Sequence, residues 1–144
     1  MVNVHTDIHI NAPCGVVAEY AGNPDNAPSW YSNIASATWL TPRPLELGSK
    51  VAFKAHFLGR TLDYTYEFTE YVPGESLVMR TSQGPFPMKT TYTWTGEGTG
   101  TRMTLRNEGS PSGFGVIAGL LMAPMMRRAM RKDLAALKAI LESS

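Results

Sequence analysis

GFGVIAGLLMAPMMRRAMRKDLAALKAILESS, residues 113–144, decides how the rest of the chain is read. Its first half, residues 114–126, is almost wholly apolar. Its second half is amphipathic. Met122, Met126, Met130, Leu134, Leu137 and Leu141 recur at spacings of four and three, which puts them on one helical face. Arg127, Arg128, Arg131, Lys132 and Lys138 fall mostly off that face. One long helix is expected, spanning roughly 40 Å at ~1.5 Å per residue. Pro124 interrupts the donor pattern and predicts a kink around residues 120–124. The apolar run is too short for a membrane span, which takes about 20 residues. Arg127 and Arg128 close it first. Its methionines read either as core filler or as an adaptable wall for a ligand.

Upstream of this helix the pattern has a period of two. Val4, Thr6, Ile8 and Ile10 alternate with His5, Asp7 and His9, so Val2–Ile10 reads as a half-buried strand. Asn11-Ala-Pro13 ends it. Residues 14–21 read as a short helix with Val16, Val17 and Tyr20 on its apolar side. Asp25 or Asn26 then caps a second short helix through Trp30. Strands follow at residues 36–40, from Val51, from Leu62, at 77–83, at 86–95 and at 101–108. Turn signals separate them at Leu58-Gly59-Arg60, Pro73-Gly74, Gly84-Pro85 and Gly96–Gly100. Short connections imply antiparallel pairing, and strict alternation implies one wet face and one dry face. The terminal helix is the only element large enough to cover the dry face. The expectation is an α+β fold: a curved antiparallel sheet of about seven strands around a long C-terminal helix, with two short helices after the first strand.

The chain has 144 residues, is 43% hydrophobic and 17% charged, and carries a net charge of +1, all consistent with one folded domain over residues 1–144. That balance gives no draw to nucleic acid. The only basic concentration, Arg127 to Lys132, reads as a solvated helix face or a docking patch. A single cysteine, Cys14, rules out an internal disulfide and a CxxC site. It reads as a small buried hydrophobe. The first residues lack the pattern of a signal peptide, so a cytoplasmic location is expected, without stable membrane insertion.

Four stretches give these elements a family likeness. They are Asn11-Ala-Pro13 with Val16 and Val17, then Asn23-Pro-Asp25 leading to Trp30. Tyr71-Val-Pro-Gly74 before Leu77-Val-Met-Arg80 is the third, and the helix from Met125 to Glu142 the fourth. The chain resembles the START-like (SRPBCC, helix-grip) superfamily, and within it the bacterial polyketide cyclase/dehydrase and lipid transport group. The resemblance implies a cavity between sheet and helix that binds lipids, sterols, polyketides or other apolar molecules. It implies no particular reaction. It allows a monomer or a homodimer.

The expected ligand-binding residues are those of the dry face and its helical cover: Trp30, Phe53, Phe57, Tyr64, Tyr66, Met79, Met88, Thr90, Tyr92, Trp94, Met103, Leu121, Met122 and Met125. This set is rich in aromatics and methionine, where a core needing only density favours compact aliphatics. Gln83 and Asn107 are inward by parity and are expected to orient a ligand carbonyl. Parity sends His5, His9, His56, Asp63 and Glu67 outward, so no strand supplies a strong acid or base to the interior. Glu70 shares the inward parity of Tyr64 and Phe68 but lies near a strand end and is expected to reach solvent, so a tyrosine hydroxyl is the remaining acid. His5, Asp7 and His9 sit too far apart along a strand to share a metal, so neither metal nor cofactor is expected. Three functions fit: a binding protein for a hydrophobic small molecule, a cyclase or dehydratase using pocket hydroxyls, or an interaction module acting through its surface. An acid or a histidine inside the pocket would favour the enzyme.

Overall fold

The computed structural model describes residues 2–57, 59–83, 87–109 and 115–143, with the side chains of 57 and 115–121 outside the description. The elements in chain order are β1 (Val2–Ile10), α1 (Cys14–Gly22), a single 3-10 turn (Pro24–Asn26), α2 (Ala27–Trp30) and β2 (Ile34–Trp39). Then come β3 (Lys50–Phe57), β4 (Arg60–Val72), β5 (Ser76–Gln83), β6 (Met88–Glu97), β7 (Gly100–Gly109) and α3 (Gly115–Glu142). The seven strands form one antiparallel sheet in the order β1-β7-β6-β5-β4-β3-β2. Neighbours in sequence are neighbours in space from β2 to β7, and β1 returns to flank β7, with Val2 opposite Gly109 and Ile10 opposite Thr101. This curled sheet with the long helix against its concave face is the α+β helix-grip architecture.

Alternation decides which face is dry. Val4 and Ile10 on β1, Tyr92 and Trp94 on β6, and Met103 and Leu105 on β7 are buried, while His5 and Arg106 between them are exposed. α3 covers that face with Met122, Met130, Leu134, Leu137 and Leu141, all buried. Each such side chain contributes about 1.5–3 kcal/mol of apolar burial. The C-terminal end of α3 is pinned to the end of β1. Lys138 Nζ donates to the His9 carbonyl at 2.9 Å, and the Asn11 N–H donates to Glu142 Oε2 at 2.7 Å. Helical structure continues through Pro124. No helix of the described residues is long and apolar enough to cross a membrane.

Two expectations need correction. Val16 is 51% exposed; α1 instead buries Val17, Ala18, Ala21 and Gly22. Small residues let this short helix lie close to the sheet, and a Cβ on Gly22 would meet the Trp94 ring at 3.6 Å. Of Asp25 and Asn26, Asn26 stands at the N-cap of α2 but makes no side-chain cap bond, while Asn23 caps the preceding 3-10 turn by accepting the Asp25 N–H at 3.0 Å. Asp25 instead takes Arg43 and the Trp39 indole N–H at 2.9 Å. The Arg43 contact comes first in holding its carboxyl below the usual range. The strands for residues 86–95 and 36–40 are also displaced, to Met88–Glu97 and Ile34–Trp39, and Gly84, Pro85 and Phe86 lie outside the described residues.

Candidate functional site

Between α3 and the middle of the sheet lies a hollow of about 150 Å³. Its floor comes from alternate residues of the strands: Phe53 and Ala55 of β3, Leu62, Tyr64, Tyr66 and Phe68 of β4, Leu77 and Met79 of β5. Met88, Thr90 and Tyr92 of β6 and Asn107 of β7 continue it. The roof is one stripe of α3: Met122, Met126, Ala129, Met130 and Asp133. Residues from the end of α1 to Ala27, together with Tyr31, Asn33 and Ile34, close the side. The spacing of the roof residues is three and four, so a single helical face supplies them all.

Of the expected ligand-binding residues, Phe53, Tyr64, Tyr66, Met79, Met88, Thr90, Tyr92 and Met122 border this hollow. Trp30 and Trp94 do not. Both are buried behind the tyrosines, Trp30 with its ring centroid 4.1 Å from Tyr31 and Trp94 at 6.0 Å from Tyr92. Met103 is fully buried between β1 and β6, opposite Ile8 and Trp94, and serves the core. Met125 is 39% exposed. It lies about 100° round the helix from Met126, which takes the inward place. The side chains of Phe57 and Leu121 lie outside the described residues. Gln83 is exposed. The register of β4 against β5 shifts between Thr65 and Tyr66 and again between Phe68 and Glu70, so parity counted across that pair does not hold. Asn107 does face the hollow, where its Oδ1 accepts from the Thr90 hydroxyl at 2.6 Å.

Besides this Thr90–Asn107 pair, the polar groups form two small sets. Tyr31 and Tyr92 share a hydroxyl–hydroxyl hydrogen bond of 2.5 Å. Burial pushes both phenols well up, and it does the same to Tyr66. Burial raises Tyr64 to about 12. All four remain neutral donors at ordinary pH and are weaker acids than free phenol. The other set is Asp133, 2% exposed, whose Oδ1 accepts the Ser32 N–H at 2.8 Å. Burial raises its pKa, and the Ser32 hydrogen bond pulls the other way. A carboxyl inside the hollow corrects the expectation that the interior has no strong acid or base. Strand alternation governs strands only, and this group arrives on the helix.

A larger concavity, about 670 Å³, runs along the outside of the fold between α1, the chain before β3 and the β4–β5 turn. Arg43 stands 5.0 Å from the Trp39 ring there and is paired with Asp25, with side chains 62% and 39% exposed. Its charged pair is already matched, and it lies away from the methionine and tyrosine walls under α3. The apolar hollow under α3 is the candidate site. Among the described residues no three His, Cys, Asp or Glu side chains gather as a metal site.

Residues 1–142 match the family described as polyketide cyclase / dehydrase and lipid transport. No curated protein matches the sequence. Solved structures similar to this chain include TTHA0849 from Thermus thermophilus, with a TM-score of 0.84 and 18% identity over 98% of this chain and 97% of that one. The Zhui aromatase/cyclase from Streptomyces sp. R1128 has a TM-score of 0.80 and 15% identity over 97% and 93%. A START superfamily protein from Mycobacterium smegmatis has a TM-score of 0.76 and 15% identity over 98% and 97%. At these identities the likeness is one of fold.

Proposed function

The chain belongs to the polyketide cyclase / dehydrase and lipid transport family, and from that premise we propose that it binds a small hydrophobic molecule in the cytoplasm, in the hollow between its sheet and α3. The observation that carries this reading is the make-up of the walls. Aromatic rings and methionines surround the space, and the few polar groups converge on it. A volume near 150 Å³ matches that of an apolar protein cavity able to take benzene, so about one ring fits as it stands. Met79, Met88, Met122, Met126 and Met130 give the walls the freedom to admit more, because an unbranched thioether repacks at low cost.

Native mass spectrometry of freshly purified protein tests it. A bound apolar molecule, released on denaturation, is the expected result. A clean apo mass, with no thermal stabilisation by any of a panel of ring compounds, lipids and polyphenols, overturns the reading. A second reading rests on Asp133. Its carboxyl beside the Tyr31–Tyr92 pair is a proton acceptor and donor set suited to cyclase or dehydratase chemistry on such a molecule. Turnover of the bound compound, lost in Asp133→Asn with binding retained, is the result that separates enzyme from carrier.

A further inference from the structure

Asp133 is the one acidic side chain among the described residues bordering the hollow, and no Lys, Arg or His stands with it there. The positions outside the description at 58, 84–86 and 110–114 are Leu, Gly-Pro-Phe and Ser-Pro-Ser-Gly-Phe, none of which ionises. The groups that face Asp133 are the Tyr31 and Tyr92 hydroxyls and the Ser32 N–H and hydroxyl. Lys132, its neighbour on α3, is exposed. The electrostatics of the space are therefore one-sided. A fatty acid or other carboxylate entering it loses its water beside a second carboxyl, with no cation bordering the hollow and only exposed Lys132, the smallest of the influences on Asp133, acting from outside it. A protonated amine does the opposite. It supplies a cationic partner for Asp133, and the rings of Tyr31, Tyr66, Tyr92 and Phe53 favour a cation near their faces.

We propose that Asp133 selects the head group of the bound molecule: an apolar compound of about one ring that presents a hydrogen-bond donor, best a protonated amine, and never one ending in a carboxylate or phosphate. The proposal rests on the reading of the hollow as a ligand site. It narrows that reading from any hydrophobic molecule to one polarity of amphiphile.

The test is a matched series titrated calorimetrically into the full chain: ethylbenzene, 2-phenylethanol, 2-phenylethylamine and phenylacetate. The amine is expected to bind at least about tenfold tighter than the carboxylate, with the alcohol between them. In the isosteric Asp133→Asn and in the bulkier, apolar Asp133→Leu the amine is expected to lose that advantage, to within about threefold of the alcohol. Equal binding of amine and carboxylate by the parent protein overturns the proposal. So does an amine preference that survives both substitutions. If ethylbenzene binds and the head groups show no order, only the role of Asp133 falls. If nothing in the series binds, the ligand site falls with it.

Discussion

A carboxyl group held among methionines and tyrosines costs folding free energy whenever it is charged. Asp133 has its folded-state pKa raised above the ordinary 3.8 by burial. The folded protein thus holds that proton more tightly than the unfolded chain. Its contribution to stability is fully present below 3.8 and is lost as pH rises through the raised value. Asn keeps an oxygen for the Ser32 N–H and removes the charge. Asp133→Asn is expected to melt higher than the parent at pH 7, by a few degrees at about 3 °C per kcal/mol. The gap should close as pH falls into the acid range; a gap that ignores pH refutes the assignment. Tyr92→Phe tests the neighbouring hydroxyl pair. It strands the Tyr31 hydroxyl and is expected to cost ~1–2 kcal/mol in urea unfolding. The double change Tyr31→Phe with Tyr92→Phe should cost less than the sum of the singles. Tyr64, Tyr66 and Tyr92 were legible because strand alternation points them inward, whereas Tyr31, which follows α2, lies on no strand and was missed. Asp133 was not legible either, although the same spacing rule that groups Met130 and Leu137 sets it three residues after one and four before the other. Its charge argued for the wet face, and only the packing of α3 on Ser32 overrides that argument.

At the level of elements, α3 does two jobs along one stripe. Leu134, Leu137 and Leu141 pack solidly, whereas Met122 and Met126 border empty space. Truncation should tell the two halves apart. Leu137→Ala is expected to destabilise by about 2–5 kcal/mol, since it opens a void in a closed core. Met126→Ala only enlarges a space that exists, and should cost clearly less while admitting bulkier ring compounds. Chemical denaturation of both variants checks this, and equal losses would mean that the stripe is one uniform core. The strands were readable in number and kind from alternation, and the hairpins from Gly and Pro. Their precise pairing was not. The two register shifts between β4 and β5 follow from how two particular strands curve against each other, which neither strand's own sequence encodes. Val16 misleads for a related reason: in a nine-residue helix, close approach to Trp94 selects Ala18, Ala21 and Gly22 over a larger apolar neighbour.

For the molecule as a whole, binding inside the hollow links occupancy to global stability, because a site built from β3, β4, β5, β6, β7 and α3 disappears on unfolding. A ligand at about 100 times its dissociation constant should add about 2.7 kcal/mol to the unfolding free energy. A melting temperature that rises with the logarithm of ligand concentration verifies it; one that saturates at once, or does not move, refutes it. The antiparallel run from β2 to β7 was foreseeable from short connections. The placing of β1 beside β7 was not, since no local spacing says where the first strand goes. That placement matters before the protein is ever finished. Val2 waits for Gly109, and His9 for Arg102, so β1 leaves a ribosome well before the strand that completes it. At about 5–20 residues per second the delay is of the order of seconds. During it a strand with alternating Val and Ile has no partner on either edge, the condition under which strands pair with the wrong chain.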